Sequence, residues 1–161
     1  MEHLEIIKTK IRDQNSLTGL LSFYRFKNYK IVFTNGCFDI LHLGHIEYLA
    51  KAADFGDVLL IGLNTDDSVR KIKGPNRPVN NQESRALVLA SLTFVNNVIY
   101  FDQDTPYNLI KIIQPDILVK GSDYKTEDIV GSDIVLAKNG EVKTIDFVEG
   151  FSTSNIINKL K

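Results

Sequence analysis

Two histidines flank a glycine directly after the first strongly apolar segment of the chain. The segment KIVFT (30–34) runs into TNGCFDILHLGH (34–45), which ends on His42, Gly44 and His45. If a helix begins there, its free backbone N–H groups and its dipole favour an anion. Two imidazoles three residues apart can both donate to one phosphate, and Gly44 lets a nucleotide approach the backbone. The spacing therefore indicates a site for phosphate chemistry.

Two other interpretations of these histidines stay open. Both side chains could simply face solvent at the start of a helix. Asp39, His42 and His45 also have the side-chain types of metal ligands. A closed zinc site, however, takes about four ligands, and the one further histidine, His3, is distant in the sequence. The pattern favours phosphate over metal.

The elements that must position these histidines follow from the apolar runs. Predicted strands lie at 30–34, 57–63, 97–101, 116–119 and 141–145, and predicted helices at 43–55, 65–71, 82–92, 106–113 and 152–160. Continuous apolar runs indicate strands that are covered on both faces. Strands and helices in alternation predict an α/β fold, a Rossmann-like doubly wound parallel sheet of about five strands in a single domain. Residues 1–28 are predicted to be an N-terminal helical extension.

Composition excludes several classes of protein. The 161 residues carry 19 Lys and Arg against 20 Asp and Glu, so no global field attracts nucleic acid or an anionic membrane. The single Cys37 excludes an intrachain disulfide and fits a reducing compartment. The longest apolar run, Val58 to Leu63, is too short to span a bilayer, and the N-terminus lacks the pattern of a signal peptide. We expect a cytoplasmic protein that binds neither nucleic acid nor membrane.

One irregular segment interrupts the pattern. Residues 73–81 (KGPNRPVNN) contain two prolines and one glycine, and a structureless stretch inside a compact domain is often a functional loop. We expect Lys73 to lie in this loop, where it could close over a bound polyphosphate or be one more solvated lysine beside Lys71.

The motif at 34–45 resembles the signature of the HxGH nucleotidyltransferase superfamily. Further blocks follow in order: NTDDS (64–68), KGPNRPVN (73–80), DTP (104–106), PDILVKGSDY (115–124) and STSNII (152–157). Together they resemble the adenylyltransferase domain of the ADP-heptose synthases, which activates D-glycero-β-D-manno-heptose 1-phosphate. The resemblance covers about residues 28–161 and implies a nucleotidyltransferase domain at 29–161. Since 161 residues leave no room for the sugar kinase fused to this domain in many bacteria, it implies the stand-alone form.

The resemblance also implies roles for individual residues. It implies catalytic roles for His42, His45 and Lys73. It implies nucleotide contacts for Thr34, Asn35, Gly36, Phe38, Gly44, Gly121, Asp123, Ser152, Thr153 and Ser154. The candidates for sugar-phosphate contacts are Asp39, Asp66, Arg77, Arg85 and Lys120. ATP and a sugar 1-phosphate are the implied substrates, with Mg²⁺ to offset phosphate charge and a homodimer or larger homo-oligomer as the assembly.

Several of these residues have a second interpretation. Arg85 could be an exposed helix residue, Asp39 could ligate Mg²⁺, and Asp123 could be a turn aspartate. The hydroxyls of residues 152–154 could act only as helix caps.

Two other functions remain as alternatives. A glycerol-3-phosphate cytidylyltransferase shares the HxGH core but typically carries an RTxGISTT ending, and here Phe147 stands where the arginine would be. A nucleotide-binding regulator should have lost a histidine or the lysine, yet His42, His45 and Lys73 are all present. Phe151 and the pair Asn139–Gly140 also depart from the heptose pattern, and we expect neither departure to touch the chemistry.

Overall fold

The fold centres on a parallel sheet of six strands in the order β1-β4-β3-β2-β5-β6. The computed structural model describes residues 2–123, 125–146 and 150–159. The strands are β1 (Ile11–Arg12), β2 (Ile31–Gly36), β3 (Val58–Asn64), β4 (Asn97–Phe101), β5 (Ile117–Gly121) and β6 (Glu141–Ile145). All neighbouring pairs are parallel, which confirms the predicted α/β class.

Helices connect the strands and cover both faces of the sheet. The described helices are α1 (His3–Lys8), α2 (Leu17–Phe26), α3 (Leu43–Ala53), α4 (Asp66–Lys73), α5 (Gln82–Ser91), α6 (Tyr107–Ile113), α7 (Ser132–Ala137) and α8 (Thr153–Lys159), with a 3-10 turn at Thr126–Asp128. The predicted helices overlap α3 to α6 and α8, with ends that differ by at most two residues. Residue 160 lies outside the described residues. The sequence pattern did not predict α7. None of the described helices has the length and apolarity needed to cross a membrane.

Two hydrophobic cores lie on opposite faces of the sheet. Along β2, Val32 belongs to the core under α3 and α5, whereas Ile31 and Phe33 belong to the core under α2, α6 and α7. This alternation follows from the period of two residues along a strand. Because every central strand buries both faces, its sequence is continuously apolar.

The predicted number of strands was wrong, because the segment before residue 28 adds a sixth. Ile11 and Arg12 pair with Val98 and Ile99 at the edge of the sheet. The carbonyl of Lys10 accepts the Val98 N–H at 2.9 Å and the Asn97 side-chain amide at 3.2 Å. A strand of two residues is too short to leave a periodic pattern in the sequence. The domain boundary at residue 28 stays a prediction.

The strand order places a ligand site between β2 and β5. The chain moves from β2 to β3 and β4 in one direction, and β5 then pairs on the opposite side of β2. In an open parallel sheet, ligands bind outside the carboxyl ends of the strands at such a switch point. The ends of these two strands, Gly36 and Gly121, therefore bring the loops that follow them together.

Candidate active site

A cavity of about 660 Å³ opens at this switch point. The predicted site residues that line it are Asn35, Gly36, Phe38, Asp39, His42, Gly44, His45, Lys73, Arg77, Lys120, Gly121, Asp123, Ser152, Thr153 and Ser154. Residues from four separate parts of the sequence thus meet in one place. Tyr124 of the KGSDY block lies outside the described residues. So do residues 147–149, which include Phe147 at the position of the cytidylyltransferase arginine.

The two histidines are fixed at the start of α3. His42 is the N-cap residue in extended conformation, and its carbonyl accepts the N–H of His45 at 2.9 Å. Their rings stack with centroids 3.9 Å apart and planes inclined by 27°. Phe38 meets the His45 ring edge-on at 5.4 Å. Both imidazoles are therefore oriented before any substrate binds.

The same packing keeps the histidines uncharged near neutral pH. Burial lowers the pKa of His42, and it lowers the pKa of His45 to about 4, with repulsion from His42 adding to the shift. A neutral imidazole offers one N–H donor. The pair thus presents oriented hydrogen-bond donors beside the N-terminus of α3, an end of the helix that favours an anion.

Gly44 is required between the histidines by direct contact. A Cβ at residue 44 would lie 3.1 Å from both Cε1 and Nδ1 of His42 and 3.4 Å from the Cβ of Phe151. A larger residue would press on the imidazole. From the sequence, Gly44 was expected to leave room for a nucleotide beside the backbone. In the structure, the absence of a side chain at residue 44 also leaves room for the ring of His42.

Lys73, Arg77 and Lys120 bring positive charge to the cavity. Lys73 is the last residue of α4, so it precedes the irregular segment. The sequence had instead suggested a position within that loop. Burial lowers the pKa of Lys120 to about 8, and the carboxylate of Asp123 opposes this shift. The cations suit a substrate with several phosphates.

Asp39 lines the cavity but is engaged by the protein itself. Its side chain is 1% exposed and accepts the Nε–H of Arg77 at 2.7 Å and the backbone N–H groups of Val79 and Asn80 at 2.9 Å. Desolvation raises the pKa of Asp39, but these amides and the guanidinium outweigh it and hold the pKa below its usual value. Asp39 is a charged carboxylate that holds the segment carrying Arg77.

Arg85 and Asp66 lie beside the cavity, outside its lining. The interpretation of Arg85 as an exposed helix residue was wrong, because its side chain is fully buried. It donates to the carbonyls of Cys37 at 2.6 Å and Asn80 at 3.0 Å and to the carboxylate of Asp66 at 2.7 Å. Asp66 faces a separate shallow depression at the starts of α4 and α5. The fork of Arg85 thus ties the β2–α3 loop to the segment before α5.

Thr34 is buried beneath the site. Its hydroxyl lies 2.7 Å from that of Tyr48, and Tyr48 donates to the carbonyl of Val119 at 3.2 Å. Burial raises the pKa of Tyr48 to about 12, so this link stays protonated. These two hydrogen bonds join β2, α3 and β5 below the cavity.

Sequence reasoning missed four residues that line the cavity: Cys37, Tyr48, Ile72 and Phe151. Tyr48 follows His45 by three residues on α3, so helical spacing was an available signal. The expectation that Phe151 lies away from the chemistry was wrong, because its ring stacks on His42 with centroids 6.3 Å apart. The carbonyl oxygen of the Asn35 side chain also lines the site and has no hydrogen-bond partner within the described part of the chain.

The end of the chain supplies hydroxyls to the same cavity. Ser152 accepts the N–H of Asn155 at 3.0 Å and so acts as a cap for α8. Ser152, Thr153 and Ser154 all line the cavity. Capping accounts for Ser152, and the phosphate contacts of the three hydroxyls stay a prediction.

In nucleotide sites, Mg²⁺ is usually held by one or two carboxylates together with substrate phosphates and water. No group of three or more His, Cys, Asp and Glu side chains lies close enough to hold a metal in residues 2–123, 125–146 and 150–159. The oxygens of Asp39, the carboxylate proposed as a ligand, are engaged by Arg77, Val79 and Asn80. The alternative of a metal held by Asp39, His42 and His45 does not fit either, since the three do not converge.

Comparison with known proteins decides the family. Residues 33–159 match the family model described as cytidylyltransferase-like. The chain belongs to the cytidylyltransferase-like family. Membership of this family indicates a nucleotidyltransferase.

Similar members of the family come from several bacteria. The bifunctional protein HldE of Campylobacter jejuni subsp. doylei is 58% identical over 152 residues, which cover 94% of this chain and 32% of that protein. The bifunctional protein HldE of Helicobacter hepaticus is 54% identical over 157 residues, which cover 98% and 31%. The chain spans about a third of the length of these relatives.

Solved structures show the same fold. The lipopolysaccharide core biosynthesis protein from Thermoplasma volcanium GSS1 matches with a TM-score of 0.61 and 28% identity, over 74% of this chain and 97% of that one. Pantoate-beta-alanine ligase from Francisella tularensis matches with a TM-score of 0.57 and 17% identity, over 93% and 77%. The second likeness concerns the fold alone.

Proposed function

We propose that this chain transfers the adenylyl group of ATP to D-glycero-β-D-manno-heptose 1-phosphate, giving ADP-heptose and pyrophosphate. ADP-heptose is a precursor for lipopolysaccharide or related surface glycans. The observation that carries the proposal is the cavity in which the stacked histidines meet the RPVN, KGSD and STS segments. HxGH alone specifies only the superfamily, whereas the resemblance to heptose enzymes rests on these further segments.

The reaction is a direct displacement at phosphorus. An oxygen of the sugar phosphate attacks the α-phosphorus of ATP, the bond to the β-phosphate oxygen breaks, and its electron pair leaves with pyrophosphate. The nucleophile is already an anion, so no general base is required. Alignment and stabilisation of negative charge on the transferred group then account for catalysis.

Each group of residues has a place in this reaction. His42 and His45 donate hydrogen bonds to the α-phosphate and the bridging oxygen. Lys73 and the hydroxyls of residues 152–154 hold the β- and γ-phosphates. Arg77 and Lys120 take the anionic end of the acceptor. Mg²⁺ bound to the polyphosphate would offset its negative charge.

A matrix of nucleoside triphosphates against sugar and polyol phosphates tests the proposal, with pyrophosphate release as the readout. The expected result is the highest kcat/KM for ATP with the heptose phosphate. A site built for ring hydroxyls rejects glycerol 3-phosphate, because its buried polar groups would be left unpaired. Faster turnover of CTP with glycerol 3-phosphate would overturn the substrate assignment and leave the nucleotidyltransferase class in place. His42→Ala in the same matrix is the background control.

A further inference from the structure

Asp39 is a buried carboxylate whose partners all lie about forty residues further along the chain. Its side chain is 1% exposed, whereas that of Arg77 is 19% exposed. Besides Arg77, it accepts the backbone N–H groups of Val79 and Asn80, and the Asn80 side chain donates back to the Asp39 carbonyl at 2.8 Å. A buried carboxylate is stabilised by such donors, so Asp39 remains hydrogen-bonded to these protein groups.

The segment that Asp39 holds would otherwise have little to fix it. Residues 74–81 form neither helix nor strand, and Val79 is 56% exposed. Asp39 accepts the N–H groups of Val79 and Asn80, and Arg85 donates to the Asn80 carbonyl. These contacts fix the backbone just after Arg77.

The ion pair also decides which part of Arg77 remains for a substrate. The Nε–H is donated to Asp39 at 2.7 Å. The two terminal nitrogens have no hydrogen-bond partner in the described part of the chain, and Arg77 lines the cavity. A guanidinium held at Nε presents its terminal N–H groups as a fork that fits a phosphate.

We infer that Asp39 is a positioning residue: it holds Arg77 and residues 79–80 so that the terminal N–H groups of Arg77 receive the phosphate of the acceptor. The inference rests on the proposed function for the identity of that acceptor. Asp39 itself contacts neither the sugar nor a metal. Its effect on acceptor binding passes through Arg77.

A double-mutant cycle of Asp39→Asn and Arg77→Ala tests the inference, with KM measured separately for the acceptor and for ATP. Each single variant is expected to raise the acceptor KM about tenfold or more, the value of one hydrogen bond to a charged group. The KM for ATP and kcat stay within about twofold of the wild type. The double variant should be no worse than Arg77→Ala. Effects that multiply in the double variant, or an equal rise in the KM for ATP, would overturn the inference.

The control is a carboxylate that also binds a backbone N–H and a cation but lies before β5, at the amino-terminal ends of the strands. Asp116 accepts the backbone N–H of Ile31 at 2.8 Å and pairs with Lys138 at 3.0 Å. Asp116→Asn should leave both KM values unchanged. If Asp39→Asn does not fold, Arg77→Lys takes its place: lysine has one charged nitrogen and cannot serve both Asp39 and a phosphate. An acceptor KM at the wild-type value in Arg77→Lys would count against the inference.

A measurement without substrate separates this inference from the proposed function. In the free protein, Asp39→Asn should speed hydrogen exchange at the amides of Val79 and Asn80, while Asp116→Asn should not. Unchanged exchange at both amides refutes the positioning role even if ADP-heptose is formed. If exchange is faster but heptose phosphate is not a substrate, the proposed function fails. The cycle is then run with the phosphomonoester that the substrate matrix identifies, under the same criteria.

Discussion

The rings of His42 and His45 lie stacked, with centroids 3.9 Å apart. Two protonated imidazoles at this distance would repel each other strongly, so the stacking favours the neutral form, in which each ring offers one N–H donor. Phe38 and Phe151 pack against the two rings and hold them in place. Under the proposed function, catalysis by such a pair depends on the orientation of its rings.

Replacing either histidine should remove activity while leaving substrate binding nearly intact. His42→Ala and His45→Ala are each expected to lower kcat about 10²–10³-fold, the usual effect of losing one preorganised donor. Steady-state pyrophosphate release measures this. The control is His3→Ala, since His3 is exposed on α1 and should not affect the rate. Near-normal kcat in both active-site variants would contradict the role of the pair.

Gly44→Ala should lower kcat by displacing the imidazole of His42. The added Cβ would lie 3.1 Å from two atoms of that ring, so the ring must shift. The matched control is Gly19→Ala, which also adds a methyl group within a helix but has no heavy atom within 4 Å of it. There the change should raise the unfolding free energy by up to about 1 kcal/mol and leave kcat unaltered. Equal kcat for both variants would refute the steric argument.

Acid should destabilise the protein partly through His45. The pKa of His45 is lowered from 6.5 to about 4 in the folded chain, so the unfolded chain binds more protons between these values. Stability is then lost as pH falls from about 6.5 towards 4. Urea unfolding at several pH values measures this, and His45→Gln should show a weaker dependence than wild type. Parallel curves would exclude a contribution from His45.

Lys120 should give the activity an alkaline limit. Its pKa of about 8, lowered by burial, means that the free enzyme loses a positive charge in the cavity as pH rises past 8. We expect the KM for a phosphorylated substrate to rise over that range. In Lys120→Arg the side chain stays charged, so the rise should move to higher pH. The profile of KM from pH 7 to 9.5 checks this, and coincident profiles would contradict it.

Tyr24→Phe should destabilise the domain without changing its activity. The Tyr24 hydroxyl donates to the side-chain oxygen of buried Asn97 at 2.7 Å, and Asn97 also contacts the carbonyl of Lys10 beside β1. Removing the hydroxyl leaves a buried acceptor unpaired, at a cost of about 1–3 kcal/mol. Urea unfolding measures the loss, with Tyr29→Phe as the control because Tyr29 is 39% exposed. Equal stability of the two variants would show that the N-terminal segment contributes little to the fold.

Patterns local in sequence determined most of the fold and the centre of the site. The continuous apolar run from Val58 to Leu63 predicted a strand covered on both faces, and β3 is buried along its whole length. The role of His42 and His45 could be predicted from their spacing of three residues and from the helix start that follows β2. Such features depend on neighbours in the chain, which a sequence displays directly.

Tertiary structure alone decided what the charged residues near the site do. Asp39 and Arg77 are both residues that could bind a sugar phosphate, and nothing local reveals that one holds the other. Arg85 could equally have faced water, but the fold places the Cys37 carbonyl and the Asp66 carboxylate around it. Strand β1 was missed for the same reason, since two residues become a strand only when Val98 and Ile99 lie beside them. A buried charge or a short edge strand is defined by partners distant in the chain, and the strand order brings those partners together.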